Sequence, residues 1–103
     1  MILVTSDEFE IDKLIHEPAR LKIMAQLFVV LEADFIFLMR QTGLTWGNLS
    51  SHMSKLEDAG YVEVRKEFLD KKPHTILKLT SKGRDAFNEY RRAMDQVFKD
   101  LPD

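Results

Sequence analysis

Between Thr45 and Gly60 the chain reads TWGNLSSHMSKLEDAG, and the apolar Leu49, Met53 and Leu56 recur at i, i+4 and i+7. That spacing lines up one face of an α-helix. The other face, Asn48, Ser51, His52 and Lys55, is short, polar and weakly basic. Thr45 can accept from a free N–H at the helix head, and Gly60 can take the left-handed conformation that stops it, so a helix is predicted over 46–59. Upstream, IDKLIH (11–16) suits a short helix, and Glu17-Pro18 a main helix, because proline fits a first turn. Leu21, Met24, Ala25, Phe28 and Val29 give that helix its predicted apolar face, ending near Leu31. Asp34 as cap and Gly43 as stop bracket a second helix, 35–42.

After Gly60 the period falls to two. In YVEVRKEF (61–68), Val62 and Val64 share one face while Glu63 and Arg65 share the other, as in a strand. TILKLT (75–80) reads as the return strand, with LDKKPH (69–74) as a protruding loop stiffened by Pro73. Thr80 or Ser81 caps a last helix, 81–99. There Phe87, Tyr90, Met94, Val97 and Leu101 are spaced 3, 4, 3 and 4, a short heptad seam. Its end runs past a core this small, so 81–101 is read as a C-terminal dimerisation helix. The expected interface combines Tyr90, Met94, Val97, Phe98 and Leu101 with Ile2, Leu3, Phe9 and Ile11; docking within one chain is the alternative.

Three helices, a hairpin and a fourth helix, with the short link Gly43–Thr45 between the second and third, form the order of a winged helix-turn-helix. The expected fold is α+β and mostly α: a three-helix core, a two-stranded β-hairpin wing and the C-terminal helix, in a single domain over 1–103.

Composition narrows this further. At 103 residues and 45% apolar content, one core is well supplied. The chain has no cysteine, hence no disulfide or thiolate metal site. MILVTSDEFE lacks a signal-peptide pattern, and Gln26, Glu32 and Asp34 interrupt the longest apolar run, so no membrane partner is expected and the location is read as cytoplasmic. The net charge of −2 is unevenly spread. Residues 1–44 carry four basic and seven acidic side chains, residues 45–84 eight and five, and residues 85–103 three and five. The basic middle coincides with the third helix and wing, where a phosphate backbone would be met.

LTWGNLSSHMSKLEDAGYVEVRKEF followed by KKPHTILKLTSKGRDAF resembles small winged-helix transcriptional regulators related to the MarR and ArsR groups, and LIHEPARLKIMAQL resembles their first-helix segment. The likeness covers roughly residues 11–90. It implies a homodimer on double-stranded DNA, with the third helix in the major groove and the hairpin along the backbone or minor groove. Relatives usually carry a small polar residue at the position of Trp46, mostly polar ones in the second helix, and Arg- and Gly-rich wing tips.

A groove about 12 Å wide admits a helix whose leading side chains are short. Asn48 can pair with adenine, Ser51 and His52 with base edges or phosphates, and Lys55 with a phosphate; Thr45 sits at a helix head whose free N–H groups suit another. Trp46 either stacks on a sugar or thymine methyl or folds back on its neighbours, and folding back is preferred. Gly47 costs the helix about 1 kcal/mol relative to alanine, which points to close approach by DNA or by the preceding helix. On the wing, Lys66, Lys71, Lys72 and His74, with Arg65 if its face is open, suit phosphates. Ile36, Phe37 and Met39 are more apolar than a solvent-facing second helix needs, and suit either core packing or contact with a protein or small apolar effector. The histidines, His16, His52 and His74, lie on separate elements without metal-binding spacing, and no nucleophile or phosphate-cradle motif is present. No enzyme activity, metal or cofactor is expected. The competing reading is a winged helix that binds proteins and not specific DNA.

Overall fold

Capping chemistry sets the element boundaries in the computed structural model, which describes residues 10–103. Asp12 accepts from the backbone N–H groups of Leu14 (2.9 Å) and Ile15 (3.2 Å), so 13–15 close as a single turn and not as the predicted short helix. That turn drives Ile15 fully into the core. Helix α1 (Pro18–Val30) starts under Glu17, whose carboxylate accepts from Ala19 and Arg20 N–H. Its buried residues are Ala19, Ile23, Met24 and Leu27, a face rotated from the predicted one, and Val29 is exposed. The helix is apolar on nearly every side, so periodicity alone could not select the inward face.

At Leu31 the backbone takes a φ of 71° and turns straight into a short strand, β1 (Glu32–Asp34). Helix α2 (Phe35–Thr42) follows, capped by Asp34, which accepts from Phe37 N–H at 2.7 Å, and stopped at Gly43 with φ 73°. The only buried polar side chain among the described residues, Thr42, donates to the Leu38 carbonyl at 2.6 Å. Helix α3 (Trp46–Asp58) begins three residues later under Thr45, which accepts from Asn48 N–H at 3.2 Å. It ends where Gly60, at φ 80°, sends its N–H to the Glu57 carbonyl while Tyr61 N–H reaches Leu56. Those paired bonds are the left-handed helix stop that glycine permits.

Strands β2 (Val62–Leu69) and β3 (Lys72–Leu79) pair antiparallel from Val62–Leu79 to Leu69–Lys72. β1 adds on the other side of β3, opposite Ile76–Lys78, so the sheet has three strands in the order β1-β3-β2. The expected two-stranded hairpin is thus incomplete, and the expected loop 69–74 is mostly strand. Only Asp70 and Lys71 turn, at φ 52° and 64°, the pair of positive angles a two-residue hairpin requires. Lys72, Pro73 and His74 therefore stand on β3.

Helix α4 (Ser81–Lys99) is capped by Thr80, whose Oγ1 accepts from Gly83 N–H (2.9 Å) and donates to the Gly60 carbonyl (2.6 Å). A Cβ on Gly83 would drive into the Tyr61 carbonyl, so the head of α4 is bolted to the corner between α3 and β2. Tyr61 is tied in turn to the Asp12 carboxylate; burial first, and then that acceptor, push its hydroxyl up to about 12. These bonds fix the wing relative to α3. The core beneath runs through Ile23, Leu27, Leu38, Leu49, Leu56 and Leu77.

Candidate nucleic-acid interface

Leu49 and Leu56 are fully buried and Met53 packs beside them, so α3 shows the inner stripe its sequence predicts. On the outer side, Asn48, Ser51 and Lys55 are exposed at i, i+3 and i+7. Thr45 and Gly47 lie exposed at the head of the same helix. No atom lies within 4 Å of a Cβ built on Gly47. The preceding helix therefore does not require this glycine. The Trp46 ring folds back on Phe35, with centroids 4.5 Å apart and planes at 50°, yet the residue stays 60% exposed. One side of the indole is anchored to α2 and the other is open.

His52 does not join the outer row. Its Nδ1 receives Nη1 of Arg20 at 3.0 Å and lies 3.5 Å from Glu17 Oε2. Arg20 also donates to the Leu14 carbonyl, and only 12% of its side chain is exposed. Burial would raise the Glu17 carboxyl, but the Ala19 and Arg20 N–H groups, then the charges of His52 and Arg20, outweigh it and hold it below the usual range. Glu17, Arg20 and His52 thus lash α3 to the start of α1. The Glu17-Pro18 pair marked only a helix start in the sequence; no local signal showed that it also grips α3.

On the wing, Lys66, Lys71 and Lys72 are exposed and His74 is half-buried. Arg65 stands on the outer face of β2, hydrogen-bonded first to Glu67 and then to Glu32 at 3.3 Å, contacts that raise its pKa further. Its charge is already matched by two carboxylates, which weakens its case as a phosphate ligand.

Of the expected dimer residues, Ile2, Leu3 and Phe9 lie outside the described residues, and Ile11 packs against the core. Tyr90 is a core residue instead: it is 6% exposed and its hydroxyl meets His16 Nδ1 at 2.8 Å. Met94 also packs inward, leaving half-buried Val97 and exposed Phe98 and Leu101 at the far end of the seam. On α2, Ile36 and Phe37 are exposed at 41% and 37%, while Met39 packs against the core. Among the described residues no group of three His, Cys, Asp or Glu side chains could hold a metal, and no helix is long and apolar enough to cross a membrane.

Comparison with known proteins agrees with this fold. Residues 19–98 match the model of a family described as winged helix DNA-binding domain. The chain is 37% identical over 89 residues to an uncharacterised protein of Methanocaldococcus jannaschii, covering 86% of this chain and 97% of that one. It is similar to the solved structure of a transcriptional regulator homologue from Pyrococcus horikoshii OT3, with TM-score 0.83, 30% identity and coverage of 92% and 96%. It shares a fold with a MarR family transcriptional regulator from Streptomyces coelicolor solved in complex with DNA, with TM-score 0.54, 24% identity and coverage of 93% and 66%.

Proposed function

The chain belongs to the family of winged helix DNA-binding domains, and on that premise we propose a dimeric transcriptional regulator that lays α3 in the major groove and its wing on the backbone or minor groove. The family role is DNA binding and regulation, not catalysis. The observation that carries the finer reading is the outer row of α3: Asn48, Ser51 and Lys55 are short or flexible, exposed, and adjoin a capped helix head. Such a row can enter a groove, with Asn48 reading adenine and Lys55 taking a phosphate, while the N–H groups near Thr45 receive another. Lys71 and Lys72 add sequence-independent attraction. That a protein of this fold was solved with DNA supports the same partner here.

Paired variants test the reading. Asn48→Ala should cost roughly 1–3 kcal/mol of discrimination at one base pair, and Lys71→Ala with Lys72→Ala should weaken all duplexes alike. If neither change alters binding to genomic or random duplexes, α3 and the wing are not the interface.

The exposed Ile36 and Phe37 favour a second role for α2, as a contact for a protein or small apolar effector. Phe37→Glu would then be the damaging substitution, with the α3 and wing variants silent if a protein is the main partner. Val97, Phe98 and Leu101 support dimerisation through the end of α4. Sedimentation should give a dimer at micromolar concentration; a monomer there would remove this part of the proposal.

A further inference from the structure

β1 pairs with β3 only opposite Ile76–Lys78, so the four pairs from Lys66–Thr75 to Leu69–Lys72 continue as a free two-stranded ribbon. At about 3.3 Å per residue it projects roughly 13 Å. Alternation puts Lys66 and Phe68 on the face that holds buried Val62 at the base of the sheet. Out on the ribbon there is no core to cover that face, and Phe68 is left 78% exposed. Pro73 sits opposite it and Leu69 beside it, 49% exposed.

Lys66 stands on the Phe68 face, Lys71 in the turn and Lys72 on the other face opposite Leu69, so exposed cations flank the apolar tip on both faces. The acidic side chains nearby are Asp70 and Glu67, and Glu67 is engaged by Arg65. A positively charged rim about an apolar centre fits an anionic partner that also offers apolar surface. Strand addition by a second copy fits less well: a two-residue turn leaves Phe68–Pro73 as a non-hydrogen-bonded pair, so proline withholds the N–H that would face the open edge. Base steps opened from the minor groove supply both anionic rim and apolar surface, and apolar wedges there unstack and bend the duplex.

We propose that the wing tip is a DNA wedge: Phe68, backed by Pro73, enters the minor groove at a base step while Lys66, Lys71 and Lys72 hold the flanking phosphates. This rests on the DNA-binding reading above and adds a prediction of its own, that the protein bends DNA. Flexible pyrimidine–purine steps, such as TA, are the favoured sites.

The test measures affinity in a salt series, and bending by energy transfer between dyes at the two ends of a TA-containing duplex. The wild-type chain should bind and bend it. Phe68→Ser should lose the bend and roughly ten- to a hundredfold in affinity, with the salt slope unchanged because no phosphate contact is removed. Phe68→Leu should restore most of both, and unchanged melting would show that each variant is folded. Wild-type binding with Phe68→Ser binding and bending equally would overturn the wedge alone. A Phe68→Ser effect on sedimentation, without one on DNA, would also overturn it, in favour of a contact between copies. A wild-type chain that binds no duplex would overturn the DNA-binding reading itself.

Discussion

Gly47 and Gly83 both lie in the first turn of a helix, yet a Cβ meets opposite surroundings at the two positions. At Gly83 the Tyr61 carbonyl and the Leu79 side chain block it. Gly83→Ala should therefore destabilise the fold by about 1–3 kcal/mol, as overpacking does, and thermal melting would read it. At Gly47 the space is empty, so Gly47→Ala should stabilise the isolated protein by about 0.5–1 kcal/mol. In the proposed complex the DNA backbone approaches this turn, so the same variant should bind DNA more weakly. Higher melting with unchanged affinity would mean that the glycine has no role at the interface. The sequence showed that Gly47 is unfavourable in a helix, but not that its surroundings are empty. His52 and Tyr90 were misplaced for a related reason: their partners, Arg20 with Glu17 and His16, are remote in sequence, and helical spacing carries no information about them.

Helices were more legible than strands at the scale of elements, because their boundaries rest on local caps. Asp34 and Thr45 each cap the helix expected of them, Thr80 and not Ser81 caps the last, and Gly43 and Gly60 stop the two expected of them. β1 has no such signal: Glu32-Ala33-Asp34 is polar and short, and its strand pairing is with residues more than forty positions away. The wing misled for another reason. Charges and a proline suggest a loop, but pairing with Phe68 and Leu69 extends the strand through Lys72 and Pro73. The real turn places Lys71 at φ 64°, which disfavours any residue with a Cβ by about 1–2 kcal/mol. Lys71→Gly should raise the melting temperature while weakening DNA binding. A lysine held where glycine would be more stable is expected if its charge is used. Equal affinity in the two proteins would show that it is not.

For the whole molecule, the net charge of −2 conceals a basic centre between acidic ends. The fold puts the excess on the wing and the head of α4, with Lys66, Lys71 and Lys72 exposed on the wing and Lys55 exposed on α3, and the bonds among Gly60, Tyr61, Thr80 and Gly83 hold α3 and the wing in fixed relation. The order of elements was sufficient to expect a winged helix, because each part followed from local pattern and the set is distinctive. Which charges remain available was only partly legible: Glu67 stands two residues from Arg65 on the same strand face, but Glu32 reaches Arg65 only once three strands are assembled. In the proposed function this surface binds duplex DNA through phosphates and grooves. Equilibrium affinity for a duplex across a salt series tests it most directly. A steep linear fall of log affinity with log salt is expected, of slope about −0.9 for each phosphate neutralised, made shallower by roughly two such steps when Lys71 and Lys72 become alanine. An affinity that stays flat from low to moderate salt would contradict it.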